Sequence, residues 1–253
     1  MKDFFNPSGH SEIINPMYGT VHMLLLLGVL IIILLLIWQK DKVKKLAGNR
    51  KFMRRFMIVF LAIEVGYTIL LWAYKTEPFS DRFPLHLCAT LSFLMPILIL
   101  LDNRKLIRFF AYWSICAGFI SFVNANIEHD PVWGIGFIHY CIRHYFLFLI
   151  PIFLQIGYGF QHSYRVLLYS IGALAVYAFL IFLLDWATGA NYMHLGPNNT
   201  LEVPFLPKSF TVWPWSYPSF SGVGIILFHL AYLALSSMSK AELRKAKMNN
   251  TEY

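Results

Sequence analysis

The chain has 253 residues, 58% of them hydrophobic and 17% aromatic, with a mean hydropathy of +0.57. A soluble domain of this length cannot hide so much apolar surface, which excludes a water-soluble globular protein and indicates a polytopic membrane protein. The net charge of +8 does not point to nucleic acid, because the basic residues gather beside the ends of apolar runs rather than along a groove.

Taken in chain order, the apolar runs predict seven transmembrane helices, at about 18–39, 54–74, 84–101, 107–127, 133–157, 165–187 and 213–236. The first is too long for a signal-peptide core and carries its charges after it, so no cleavable leader is expected. The second contains Glu64. The third opens on FPLHLC, with His86 and Cys88 just inside its start. The fourth closes on Asn124 and Asn126, followed by Glu128, His129 and Asp130. The fifth carries His139, Arg143 and His144, and the sixth closes on Asp185. A connection at 188–212, rich in Gly, Pro and Asn, contains the run NYMHL (191–195) and is long enough to form a lid or a wall of a site. The seventh opens with WPWSYPSF, whose two prolines predict an irregular start. No internal repeat interrupts the chain, so residues 1–253 read as a single integral membrane domain of all-α class.

Charge asymmetry predicts the orientation. Lys40, Lys42, Lys44, Lys45, Arg50, Lys51, Arg54, Arg55, Arg104, Lys105, Arg108, Arg165, Lys240, Arg244, Lys245 and Lys247 fall on one side. Lys2, Lys75, Arg82 and Lys208 fall on the other. The positive-inside rule places the first group in the cytoplasm, the N-terminus outside and the C-terminus cytoplasmic. The basic loop is then accounted for by topology and by attraction to anionic head groups.

On this orientation the intramembrane polar residues concentrate in the outer half. His22, His86 and Cys88, Asn124, His139, Arg143, His144 and the loop residues Asn191, Tyr192 and His194 all belong there. Ionisable groups in a span usually face the protein interior and mark a site. Arg143 needs an anion, and two readings stand: a structural pair with Glu64, or a grip on a lipid phosphate. On a regular helix His139 and Arg143 share a face, whereas His144 is rotated by about 100° from Arg143. One metal held by His139 and His144 is therefore disfavoured. His22, His86, His139, His144 and His194 show no recognised ligand spacing, so no metal or other cofactor is expected.

Three cysteines (Cys88, Cys116, Cys141) lie in predicted spans, which is no disulfide framework. A thiol in an apolar helix is usually an inert small hydrophobe, and Cys116 and Cys141 fit that description. Cys88 differs because it sits at a polar mouth. His86 is two residues away and does not face it, so a base for Cys88 belongs on another helix. A thiolate–imidazole pair is the arrangement that activates cysteine for acyl transfer.

Four segments in order carry a resemblance. FPLHLC (83–88), FIHYCIRHYFLFLIPIFL (137–154), GANYMHL (189–195) and VWPWSY (212–217) resemble motifs of the YwaF-type bacterial integral membrane proteins, departing at Val212, where that family has Gly. These are similar to the transmembrane protein 164 family, associated with acyl transfer to lysophospholipids. The resemblance implies a bacterial cell-membrane phospholipid acyltransferase with Cys88 as nucleophile. It implies His144 as base, with His139 as the alternate, since a count of depth along the helix favours His139. Asn124, Asn191 or a backbone N–H are candidate oxyanion donors. Arg143 is a candidate phosphate ligand, and His86, Tyr192, His194 and Glu64 complete the candidate substrate site. Expected partners are membrane phospholipids and lysophospholipids. The alternative is a non-enzymatic small transporter or lipid-binding protein with an Arg/Glu-lined cavity.

Overall fold

A computed structural model describes residues 18–74, 83–125, 134–197, 199 and 206–251. Asn126, Glu128, His129 and Asp130, together with Lys2, Lys75 and Arg82, lie outside these residues. Nine helices order the described chain: α1 Thr20–Trp38, α2 Lys40–Gly48, α3 Arg50–Tyr74, α4 Leu87–Leu100, α5 Arg104–Val123, α6 Ile135–Tyr158, α7 Tyr164–Thr188, α8 Lys208–Thr211 and α9 Ser216–Thr251. A 3₁₀ turn, Tyr192–His194, interrupts the connection after α7. No strand occurs among the described residues. The protein is an integral membrane protein. Six helices are long and apolar enough to cross a bilayer, and α4 is a shorter apolar seventh.

The ends differ from the sequence reading for identifiable reasons. Helix α5 begins at Arg104, three residues early, because Asn103 caps it by accepting the Leu106 N–H at 3.2 Å. Helix α9 continues past 236 to Thr251, since the polar stretch SKAELRKAK is built of strong helix formers. Before it, Trp213–Pro214 is cis. Helix α2 was absent from the predicted elements. It is only nine residues long, mostly charged, and buries Val43 and Ala47, four residues apart on one face.

The core lies among α3 to α7 and α9. Met53, Met57 and Phe60 of α3 meet Leu91 and Met95 of α4, Ile107 and Tyr112 of α5, Leu147, Ile150 and Leu154 of α6, Leu167 of α7 and Phe228 and Leu235 of α9. Helix α1 stands at the edge and buries only His22 and Val29. Helices α5 and α6 approach closely: a Cβ on Gly118 would lie 2.7 Å from that of Phe148. In α6, Pro151 cannot bond the Leu147 carbonyl, and the Ser114 hydroxyl donates to that oxygen instead, at 2.6 Å.

Two ends of the bundle can be told apart by their contacts. At one, Arg50 pairs with Asp102 at 3.0 Å and Arg108 donates to the Gln161 carbonyl at 2.8 Å. This is the basic end. At the other, the Tyr18 hydroxyl donates to the Val123 carbonyl, and the Phe83 N–H donates to the Tyr192 hydroxyl at 3.0 Å. Helix α4 starts here. Fourteen residues span about 21 Å at 1.5 Å per residue, against a hydrocarbon core of about 30 Å. Its far end is pinned at the basic surface by the turn carrying Asp102. Cys88 lies in the first turn of this short span, at the end opposite the basic one.

Candidate functional site

The start of α4 is set by the segment 83–86. The sequence placed the helix from 84, but the Pro84 carbonyl accepts the Thr90 hydroxyl at 2.8 Å and the Leu85 carbonyl accepts Tyr177 at 2.8 Å. With those groups drawn sideways, His86 becomes the N-cap and Leu87 the first helical residue. Cys88 then turns toward α5. Its sulfur lies 3.4 Å from the Ser121 hydroxyl and 3.8 Å from the Ala117 carbonyl. Tyr140 of α6 donates to the backbone carbonyl of Ser121. One turn along α6, the His144 ring packs on Tyr140 with centroids 4.2 Å apart. The imidazole Nδ1–H donates to the Tyr140 carbonyl at 2.8 Å, which leaves Nε2 as the basic nitrogen of the neutral ring. Cys88, Ser121, Tyr140 and His144 thus form one connected group across α4, α5 and α6. Among the described residues no imidazole is hydrogen-bonded to Cys88, neither His144 nor His139.

His139 belongs to a second group. Glu64, fully buried on α3, uses both carboxylate oxygens: His139 donates to Oε1 at 3.0 Å, and Arg143 donates to Oε2 through Nε and Nη2 at 3.0 and 2.6 Å. Ser92 of α4 donates to the same Oε2 at 2.7 Å. The Tyr67 ring stacks on His139 at 3.6 Å. Of the two sequence readings for Arg143, this geometry is the structural pair. A buried carboxylate without such partners would be very costly, so the pair holds α3, α4 and α6 together. Glu64 sits behind the mouth as the anchor of Arg143 and His139.

The mouth itself is built by the NYMHL loop folding back over α4. Tyr192 is buried. Its N–H donates to Asp185 at 3.1 Å and its hydroxyl accepts from Phe83, so it bolts the loop to both α7 and the segment before α4. The Met193 N–H donates to His86 Nδ1 at 3.2 Å, and the His194 ring centroid is 5.8 Å from that of His86. Burial holds the His194 imidazole below its ordinary value. Met193 and His194 both have positive φ, 54° and 58°, a conformation that costs non-glycine residues and that these contacts hold in place. Asn191 accepts the Gly196 N–H at 3.1 Å and shapes the loop itself. Asn124 ends α5 three residues beyond Ser121. An apolar cavity of about 100 Å³ lies between α7 and α9, walled on one side by Met193 and Leu195 of the loop.

Two other described histidines, His22 and His162, tie parts of the fold together. His22 accepts the Tyr18 N–H at 2.9 Å and donates to the Phe122 carbonyl. His162 joins Tyr112 to Gln155, each at 2.8 Å. Cys116 is buried in the core and Cys141 packs against a small cluster of Ala125 and Phe137. No group of three or more metal-ligating side chains is found among the described residues.

Sequence reasoning missed Ser92, Ser121, Tyr67 and Tyr140. Single hydroxyls in apolar helices are commonplace, and the only signal is the i to i+4 spacing of Tyr140 and His144 on one face. A family model, that of the TMEM164 family, matches residues 17–232. No curated protein and no solved structure matches the chain.

Proposed function

The chain belongs to the TMEM164 family, and from that premise together with the placement of Cys88 we propose that it is an intramembrane phospholipid acyltransferase with a cysteine nucleophile. The observation that carries the reading is the thiol at the start of a short span, joined through Ser121 and Tyr140 to His144. Phospholipid ester groups lie just beneath the head groups, and a span shorter than the hydrocarbon core would bring its first turn near them.

In the proposed reaction His144 Nε2 takes the thiol proton as Cys88 attacks the ester carbonyl. A carbon–sulfur bond forms, the ester carbon–oxygen bond breaks, and the lysophospholipid leaves with the proton from His144. A hydroxyl of a second lysophospholipid then gives its proton to His144, attacks the thioester and releases the thiol. Binding of lipid must close the remaining gap between Cys88 and His144, since catalytic hydrogen bonds often tighten only in the complex. The Asn124 side-chain amide, at the end of α5, is the oxyanion donor in this reading. Arg143, held by Glu64, supplies positive potential rather than a phosphate grip. His86, Asn191, Tyr192 and His194 shape the substrate mouth. The cell membrane of a bacterium, with the mouth toward the outer leaflet, is the setting this proposal assigns.

The test is acyl exchange between labelled phospholipid and lysophospholipid by the purified protein. Cys88→Ala should abolish exchange with the fold intact, and His144→Ala should lower it by about 10²–10⁴-fold, the usual worth of a general base. Unchanged exchange in Cys88→Ala would remove the covalent mechanism. A transport reading receives less support, because the half of the bundle toward the basic end is packed by Met53, Met57, Met95, Leu98 and Leu154.

A further inference from the structure

At the basic end, away from Cys88, a second cavity of about 180 Å³ lies where α1, α2, α6 and α9 converge. It is lined by Ile37, Lys40, Gln155, Ile156 and Met238. Its walls are mostly hydrocarbon, and its volume exceeds the roughly 150 Å³ of an apolar cavity that holds benzene. Ile37 and Lys40 are exposed, so the cavity opens at the rim they form. The polar wall group is already engaged. Gln155 donates to the Phe160 carbonyl at 3.2 Å, and its oxygen accepts from His162 at 2.8 Å. Among the described residues, Lys40 is the one charged residue of the lining.

Two features fix Lys40 at this rim rather than leaving it on a loose loop. It is the first residue of α2, separated from α1 by Gln39 alone, and α2 is docked on α6. Ala47 packs against Gly157 so closely that a Cβ there would lie 2.3 Å from its own, and Tyr158 donates to the Ala47 carbonyl at 3.3 Å. The surroundings are cationic as well: α2 carries four lysines against one acid, Asp41, and α3 opens with Arg50 and Lys51.

We propose that this cavity is a binding site for one anionic glycerophospholipid, its phosphate at Lys40 and the first part of an acyl chain against Ile37, Ile156 and Met238. A chain in an apolar cavity fixes where the lipid lies, and the lysine selects the charge of its head group. The site is separate from the proposed reaction centre, so it neither needs nor supplies acyl transfer.

Native mass spectrometry of the detergent-purified full chain tests it, with phosphatidylglycerol and phosphatidylcholine of identical chains as probes. One phosphatidylglycerol should be retained per chain, about fivefold more strongly than phosphatidylcholine, the factor one lysine contributes beside an anionic head group. Lys40→Gln should abolish the preference, whereas Lys51→Gln, off the cavity, should keep it. Met238→Trp, which fills the cavity, should lower retention of both lipids, and Cys88→Ala should leave retention unchanged. Inorganic phosphate without lipid should not bind, since no chain enters. Equal retention of the two lipids, or equal loss of preference in Lys40→Gln and Lys51→Gln, overturns the proposal.

Discussion

Glu64 collects four donors on two oxygens, and each donor comes from a residue that would otherwise be a polar group in an apolar helix. Breaking such a set from one side leaves a buried charge. Arg143→Ala is therefore expected to cost about 3–5 kcal/mol, read as a lowered Tm in detergent, while the double change Arg143→Met with Glu64→Met recovers much of it. Ser121 acts on a smaller scale. Its hydroxyl is within reach of the Cys88 sulfur, and Ser121→Ala should slow alkylation of Cys88 by about tenfold or less, the worth of one hydrogen bond. His162 gives a pH dependence. Burial, then the Arg108 charge, pushes its imidazole down from 6.5 to about 4. The folded state thus holds the neutral ring, accepting from Tyr112 and donating to Gln155. Above pH 6.5 the ring is neutral folded or unfolded and contributes no slope. Between about 6.5 and about 4 the unfolded chain takes up the proton first, so stability falls as pH falls and then levels. Tm measured against pH should show that fall in the wild type and lose this share of it in His162→Gln.

Between elements, Gly118 against Phe148 is a tight joint of α5 on α6. A valine at 118 brings a Cβ to 2.7 Å from that of Phe148, and the helices must separate, for an expected loss of about 1–3 kcal/mol in thermal unfolding. The spans themselves are legible in the sequence because each is a long apolar run, which the bilayer requires and a soluble protein would not tolerate. Helix α2 is not, because nine residues, five of them charged, carry no hydropathy signal, and its helical form depends on Val43 and Ala47 finding α6. The start of α4 shows the same limit: nothing local to FPLHLC reveals that Tyr177, ninety-two residues away, binds the Leu85 carbonyl. Within the candidate site, Cys88, His139, Arg143 and His144 stand out as unusual residues in a span. Which of them pair was not legible. The helical repeat correctly separated His139 from His144, and only the packing of α3 on α4 and α6 assigns His139 and Arg143 to Glu64. Ser121 and Tyr140 were invisible because their roles arise from three helices meeting.

For the molecule as a whole, the separation of charge predicts how it sits in a cell membrane. Residues at the basic end should face the cytoplasm and those near Lys208 the exterior. A membrane-impermeant maleimide applied to intact cells should then label a Lys208→Cys variant and spare Lys42→Cys until the membrane is opened. The reverse pattern would invert the bundle and move the Cys88 mouth to the inner leaflet.

The shortness of α4 makes the protein sensitive to the thickness of its surroundings. A bilayer adjusts to a short span by thinning beside it, at fractions of a kcal/mol per ångström of mismatch. On the proposed function, such thinning would bring lipid ester groups toward the level of Cys88, and the host membrane would set how often an ester meets the thiol. Longer, more saturated chains would stand the interface away from it, and shorter ones would bring it near. The missing turns of one helix would thus couple the proposed chemistry to the material properties of the lipid it acts on.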